Sequence, residues 1–269
     1  MVEMKDPFRV EREGHIAWLV LNRPEKRNAM GIKFYDWLGE HFAAFDEDPE
    51  VRVVVIRAEG KSFTTGTDLG ELGSMYNEMD AGTREKMRMT ILKAQEGMSR
   101  VEKCRKPVIA AVHSHCLGGG VDLLSACDIR IASADAVFSV REVKVAFIAD
   151  VGTLQRLPHI IGHGWFRELA LTGRDFSAEE ALKIGFITRI CPDREALIAE
   201  ARSLAEEIAA CSPLAVQGTK DVLLYSRDKG IYPGLEYVAQ KNAAAIPSED
   251  MIEAAMAFME KRTPVFKGK

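Results

Sequence analysis

An α/β fold is predicted by three features of the sequence. Short β-branched runs alternate with amphipathic helical segments, a glycine triplet stands where one run hands over to a helix, and the pattern turns almost wholly helical near residue 195. The first run, Ile16-Ala17-Trp18-Leu19-Val20-Leu21 within His15 to Asn22, is apolar throughout and stops at Asn22-Arg23-Pro24, as a buried strand entering a turn does. Ile32, Tyr35, Leu38, Phe42 and Phe45 recur at three- and four-residue steps before Asp46-Glu47-Asp48-Pro49, the pattern of an amphipathic helix. Val51 to Arg57 is a second strand, residues 82–103 form a mostly polar-faced helix, and Val108 to Val112 is a third strand that feeds Gly118-Gly119-Gly120. Strand, helix, strand in this order favours parallel pairing. Short strands at 129–131 and 137–140 are followed by irregular sequence to Asp150, then by helices over 151–161 and 165–171 flanked by Gly162 and Gly173. Ser177-Ala178-Glu179-Glu180 is a capping box that opens a helix closed by Gly185. Four more helices are expected at 195–211, 213–226, 233–245 and 248–261, so the chain divides by composition into a mixed core over 1–194 and a helical region over 195–269.

With 269 residues, 47% of them hydrophobic, the chain can bury a sizeable core. A formal net charge of −4 supplies no basic field, so neither nucleic acid nor an anionic membrane is an expected partner. No apolar run approaches the roughly 20 residues that span a bilayer. Met1-Val2-Glu3-Met4-Lys5-Asp6 resembles neither a signal peptide nor an Arg-rich transit sequence, and the expected compartment is the cytoplasm. The five cysteines are scattered without a C-x-x-C pair, and His159 and His163, which could share a helix face, have no third ligand in pattern, so neither disulfides nor a metal are expected. Gly60-Lys61-Ser62 resembles the end of a P-loop, but Val55 occupies the place of its first glycine inside a strand, which rules out a phosphate cradle.

The chemistry concentrates in residues 117–150. A helix N-terminus exposes unpaired N–H groups with a partial positive charge, and glycine lets a ligand approach them closely. Gly118 to Gly120 therefore read as an anion-stabilising turn, with carboxylates following at Asp122, Glu142 and Asp150. Such acids would repel a phosphate but serve as acid–base groups beside a developing oxyanion. Each also has a plainer reading: Asp122 as a cap or surface charge, Glu142 as the partner of neighbouring cations, Asp150 as the N-cap of the helix over 151–161.

Six motifs occur in order over nearly the whole chain: Asn22-Arg23-Pro24 with Asn28-Ala29, Phe63-Thr64-Thr65-Gly66-Thr67-Asp68-Leu69, Lys106-Pro107 with Val108 to Val112, Leu117-Gly118-Gly119-Gly120, Cys127-Asp128-Ile129-Arg130, and Leu171-Thr172-Gly173. In these the sequence resembles the crotonase (enoyl-CoA hydratase/isomerase) superfamily. The resemblance implies a crotonase-like spiral of ββα turns with a helical C-terminal trimerisation region, homotrimers commonly paired into homohexamers, and acyl-CoA thioester substrates, with coenzyme A as part of the substrate and no separate cofactor. It implies an oxyanion hole formed by the backbone N–H groups of Thr67 and Gly119, with Thr65, Gly66, Asp68, Leu69, Gly118 and Gly120 as substrate-binding positions. It also sets Arg23, Lys26 and Arg27 where CoA phosphates approach. The loop from Leu72 to Arg84 is expected to border the acyl tail.

Hydratases of the family carry two Glu residues where this chain has Asp122 and Glu142, 20 positions apart. Asp122 is one methylene shorter, which argues against two-Glu positioning of a water. The third acid, with Gly120 to Leu123, Ser125 to Asp128, Ala215 to Lys220 and Tyr225 to Asp228, makes the chain most similar to the Δ3,5-Δ2,4-dienoyl-CoA isomerases of fatty acid β-oxidation; enoyl-CoA hydratase is the alternative. Shifting two conjugated double bonds requires proton removal at C2 and delivery at C6, positions too far apart for one group to serve easily. The resemblance implies Asp150 as the base at C2 and protonated Glu142 as the acid at C6, with Asp122 tuning or positioning Glu142.

Overall fold

The computed structural model describes residues 6–73 and 80–269, so residues 1–5 and the middle of the expected tail-bordering loop lie outside the description. The strands are β1 (Phe8–Glu13), β2 (Ile16–Leu21), β3 (Val53–Ala58), β4 (Val108–Val112), β5 (His115–Leu117), β6 (Ile129–Ser133), β7 (Val137–Ser139), β8 (Phe176–Ser177) and β9 (Arg189–Cys191). The helices are α1 (Phe34–Glu47), α2 (Leu69–Gly73), α3 (Ala81–Lys103), α4 (Gly119–Ala126), α5 (Thr153–Arg156), α6 (Pro158–Thr172), α7 (Ala178–Lys183), α8 (Arg194–Ala209), α9 (Pro213–Lys229), α10 (Ile231–Ala245) and α11 (Glu249–Glu260).

One sheet runs β1-β2-β3-β4-β6-β9, parallel except for the β1–β2 hairpin, and a smaller sheet runs β5-β7-β8. Strict alternation explains why β2, β3 and β4 read as continuous apolar runs: a parallel sheet buries both faces. Ile16, Trp18, Val20, Val53, Val55, Ile109 and Ala111 pack against Leu197, Ala201, Leu204 and Ala205 of α8. Their neighbours Ala17, Leu19, Leu21, Val54, Ile56, Val108 and Ala110 face the larger core with Leu38, Phe42, Met98 and Val121 from α1, α3 and α4. The hairpin strand β1 was not legible in the pattern because its Arg9, Glu11, Arg12 and Glu13 sit on an open edge, where charge is tolerated.

Helix boundaries follow the expected pattern with one correction. The segment 151–171 is split twice: α5 is a single turn capped by Gly152, and α6 begins at Pro158 and breaks at Gly162, whose φ/ψ of 75/159 is not helical. That break also removes His159 and His163 from a common helical face.

Lys220 of α9 fastens the C-terminal helices to the sheet. It is 5% exposed, and its Nζ donates to Asp128 Oδ2 at 2.6 Å and to the Lys106 carbonyl at 3.1 Å, while the same Asp128 oxygen accepts the Val108 N–H at 2.7 Å. Lys220→Met leaves a carboxylate and a carbonyl short of their donor. The expected cost is about 2–3 kcal/mol, read as a fall of several degrees in the thermal midpoint.

Candidate active site

The site is built where β4 and β5 deliver the chain to α4. Gly118 donates its N–H to the Ser139 carbonyl at 2.9 Å, and its φ of 52° turns the chain into the helix. Arg130 fixes the other end, donating to the Leu124 and Cys127 carbonyls at 3.1 and 2.6 Å and to Phe186 at 2.7 Å. The loop carrying Thr65 to Leu69 lies alongside. Thr64 and Cys116 form a parallel bridge in which Thr64 N–H donates to His115 and Leu117 N–H donates to Thr64, at 3.0 and 3.2 Å. Among the described residues neither the Thr67 nor the Gly119 N–H has an acceptor, so two adjacent loops present two free donors to one cavity.

Gly66 makes this juxtaposition possible. Its φ is +83°, and a Cβ there would stand 2.7 Å from the Leu117 carbonyl oxygen and 3.4 Å from the Gly119 nitrogen. Gly66→Ala is therefore expected to cost about 1–3 kcal/mol of stability and, by spreading the two donors, to lower turnover by on the order of 10²-fold. Steady-state rates set beside a melting curve check both.

The cavity, about 460 Å³, is walled by Thr65, Gly66, Thr67, Asp68, Leu69, Gly118 and Gly119, by all three carboxylates, and by apolar side chains that include Leu72, Met87, Ile91 and Phe147. Thr83 is also on its wall, so both described ends of the expected tail-bordering loop reach it. Gly120, expected at the substrate, is not among these walls. Its missing side chain serves packing, because a Cβ would meet Thr64 Cγ2 at 2.5 Å and Cys116 Sγ at 2.8 Å. Asp68 caps the turn, accepting from Gly70 and Glu71 N–H at 3.2 and 3.3 Å. Arg23 pairs with Asp68 and Glu71, at 3.1 and 3.2 Å, and braces the loop. Lys26 and Arg27 are exposed on the adjoining turn.

None of the plainer readings of the three acids holds. Asp122 is 1% exposed and is neither a surface charge nor the cap of its own helix; it accepts the Thr153 N–H at 2.6 Å. Burial pushes its carboxyl up to about 6 against the hydrogen bonding from Thr153. The cation next to Glu142, Arg141, pairs with Asp175 instead. Glu142 Oε1 lies 3.3 Å from where a Gly118 Cβ would be, and Oε2 is buried with no partner among the described residues. Burial first, then the charges of Asp122 and Asp150, raise Glu142 to about 7. Asp150 is half-buried and is not the cap of α5, a place Gly152 takes; burial raises its carboxyl too.

Two groups of the site, one lining the cavity and one behind it, had no sequence signal. Thr153 anchors Asp122 from 31 residues away. Tyr35 of α1 is 8% exposed, with its hydroxyl 3.5 Å from the position of a Gly119 Cβ; burial, then the nearby Asp122, push its phenol well above the ordinary range. Only the fold brings either to the glycine turn.

The chain matches the family described as Enoyl-CoA hydratase/isomerase over residues 11–269. It is 42% identical to a protein from Arabidopsis thaliana named Delta(3,5)-Delta(2,4)-dienoyl-CoA isomerase, peroxisomal, over 96% of this chain and 95% of that one. It is 45% identical to a Homo sapiens protein named Delta(3,5)-Delta(2,4)-dienoyl-CoA isomerase, mitochondrial, over 92% and 77%. A crystal structure titled as an enoyl-CoA hydratase from Bacillus anthracis superposes with a TM-score of 0.90 at 33% identity, covering 98% of this chain and all of that one.

Proposed function

The chain belongs to the enoyl-CoA hydratase/isomerase family, and we propose that within it the protein is an acyl-CoA isomerase converting a 3,5-dienoyl-CoA to the 2,4-dienoyl-CoA in fatty acid β-oxidation. The observation that carries this reading is the third carboxylate: Asp150 shares one cavity with Asp122, Glu142 and the two free backbone donors. Relatives at 42% and 45% identity bear the isomerase name.

The thioester oxygen accepts the N–H groups of Thr67 and Gly119, each worth about 3 kcal/mol as charge develops there. Asp150 takes a proton from C2, and the electron pair spreads over the dienolate to C6. Glu142, whose raised pKa keeps a large protonated fraction near neutral pH, gives its proton to C6; the carbonyl re-forms, leaving double bonds at C2 and C4. Asp122, desolvated and charged, keeps the Glu142 proton in place. Exchange with solvent resets both acids.

Incubation with 3,5-dienoyl-CoA and, separately, with 2-enoyl-CoA tests the reading by absorbance. Conjugated-dienoyl thioester must appear from the first substrate; loss of enoyl absorbance from the second, with no reaction of the first, gives the site to a hydratase.

Assembly as a homotrimer or homohexamer belongs to the same proposal. It is supported by large apolar side chains left open on the last helices, such as Tyr232 (84% exposed) and Phe258 (85%), and light scattering checks it. Among the described residues no helix is long and apolar enough to cross a membrane. We keep the cytoplasm as the expected compartment, to be tested by fractionation against the peroxisomal and mitochondrial settings in the relatives' names.

A further inference from the structure

Asp150 sits in a segment with little regular structure of its own. The helix after it is four residues long, and Gly152 between them has a φ of 132°. The backbone that carries the carboxylate is nevertheless held, because Gln95, Ser99 and Glu102, at i, i+4 and i+7 on one face of α3, grip this segment. Gln95 Nε2 donates to the Asp150 carbonyl at 2.7 Å. Arg156 donates through one NH2 group to Ser99 Oγ at 3.1 Å and through the other to the Val151 carbonyl at 3.4 Å, while its Nε stands 3.2 Å from Glu102 Oε2. Arg156 and Glu102 side chains are each 12% exposed, far drier than a surface pair. The other Glu102 oxygen takes Arg227 of α9 at 2.5 Å. Gly152 leaves room for the guanidinium: a Cβ there would stand 1.8 Å from an Arg156 nitrogen.

We propose that Gln95 and the Ser99–Glu102–Arg156 cluster form a brace that sets the reach of the Asp150 carboxylate, making Arg156 a positioning residue for proton removal, with Arg227 tying the brace to the C-terminal helices. The brace holds the carbonyls of Asp150 and Val151, so the chain is fixed at and just after the base and only the Asp150 side-chain torsions stay free. This role rests on the isomerase reading. Its size follows from geometry, since a displacement of about 1 Å at a reacting group costs on the order of 10²-fold in rate.

Arg156→Met and Gln95→Leu test the brace by two readouts. Hydrogen exchange over residues 150–157 should quicken at least tenfold in either variant, with the sheet amides unchanged. Turnover of 3,5-dienoyl-CoA should fall about 10- to 100-fold in kcat, with KM within about threefold. Gln95→Leu removes a single hydrogen bond, so it keeps the test open if Arg156→Met folds poorly. Unchanged exchange over 150–157 overturns the proposal, as does faster exchange with wild-type kcat. Failure of the wild-type protein to turn over the dienoyl thioester strikes the isomerase reading instead, and the exchange result still decides whether the brace exists.

Discussion

Glu142→Gln should lower conversion of a 3,5-dienoyl thioester by about 10³-fold, within the 10²–10⁴ range typical of a lost general acid. The substitution keeps the shape and removes the proton. Glu142 has one buried oxygen without a partner and a carboxyl raised to about 7, first by burial and then by Asp122 and Asp150. In the proposed mechanism the acid form is the active one, so the wild-type rate should fall as pH rises through about 7. On the acidic side it should fall as Asp150 takes a proton. In the variant the alkaline limb disappears while the acidic limb stays. The substitution should move stability the other way. A carboxyl whose folded pKa lies above its unfolded value stabilises the fold at low pH and loses that contribution as pH rises from the ordinary 4.5 through about 7. At pH 8 the neutral Gln should therefore melt higher than the ionised Glu, by on the order of 1–3 kcal/mol. Lower activity together with higher stability would separate this role from a structural one.

Asp150→Asn is the second large effect, expected at about 10³–10⁴-fold in kcat with KM nearly unchanged, because the amide fills the same space and cannot take a proton. Its backbone carbonyl still accepts from Gln95, so the segment keeps its place. The readout that isolates the base is exchange of the C2 hydrogens of a saturated acyl-CoA in deuterium oxide. That exchange needs no acid at C6: it should be lost in Asp150→Asn and persist in Glu142→Gln. Wild-type exchange in Asp150→Asn would move the base elsewhere, with Asp122 the next candidate.

Much of the candidate site was legible in the sequence because its residues stand in short contiguous motifs. The backbone at Thr67 and Gly119 is fixed by local turns whose glycines announce themselves, and Asp122, Glu142 and Asp150 stand at set distances behind the second turn. What was not legible depends on distant packing. Gly120 looks like its neighbours in sequence, but in the fold it packs against Thr64 and Cys116 and does not line the cavity. Arg23 reads as a free cation until the fold sets Asp68 and Glu71 against it. Tyr35 belongs to the apolar stripe of an ordinary amphipathic helix, and only the packing of α1 directs its hydroxyl at Gly119. Gln95 and Arg156 carry no motif, since their partners lie 55 and 57 residues away.

The central claim, that one carboxylate removes a proton at C2 and a different one delivers a proton at C6, is tested most directly by locating the label in product formed in deuterium oxide. Two solvent-exchanging acids place one deuterium at C6 of the 2,4-dienoyl thioester in each turnover. Product carrying the original C2 hydrogen at C6 would mean that a single group ferries the proton, and a hydroxyacyl thioester would mean that water, not a second acid, completes the reaction.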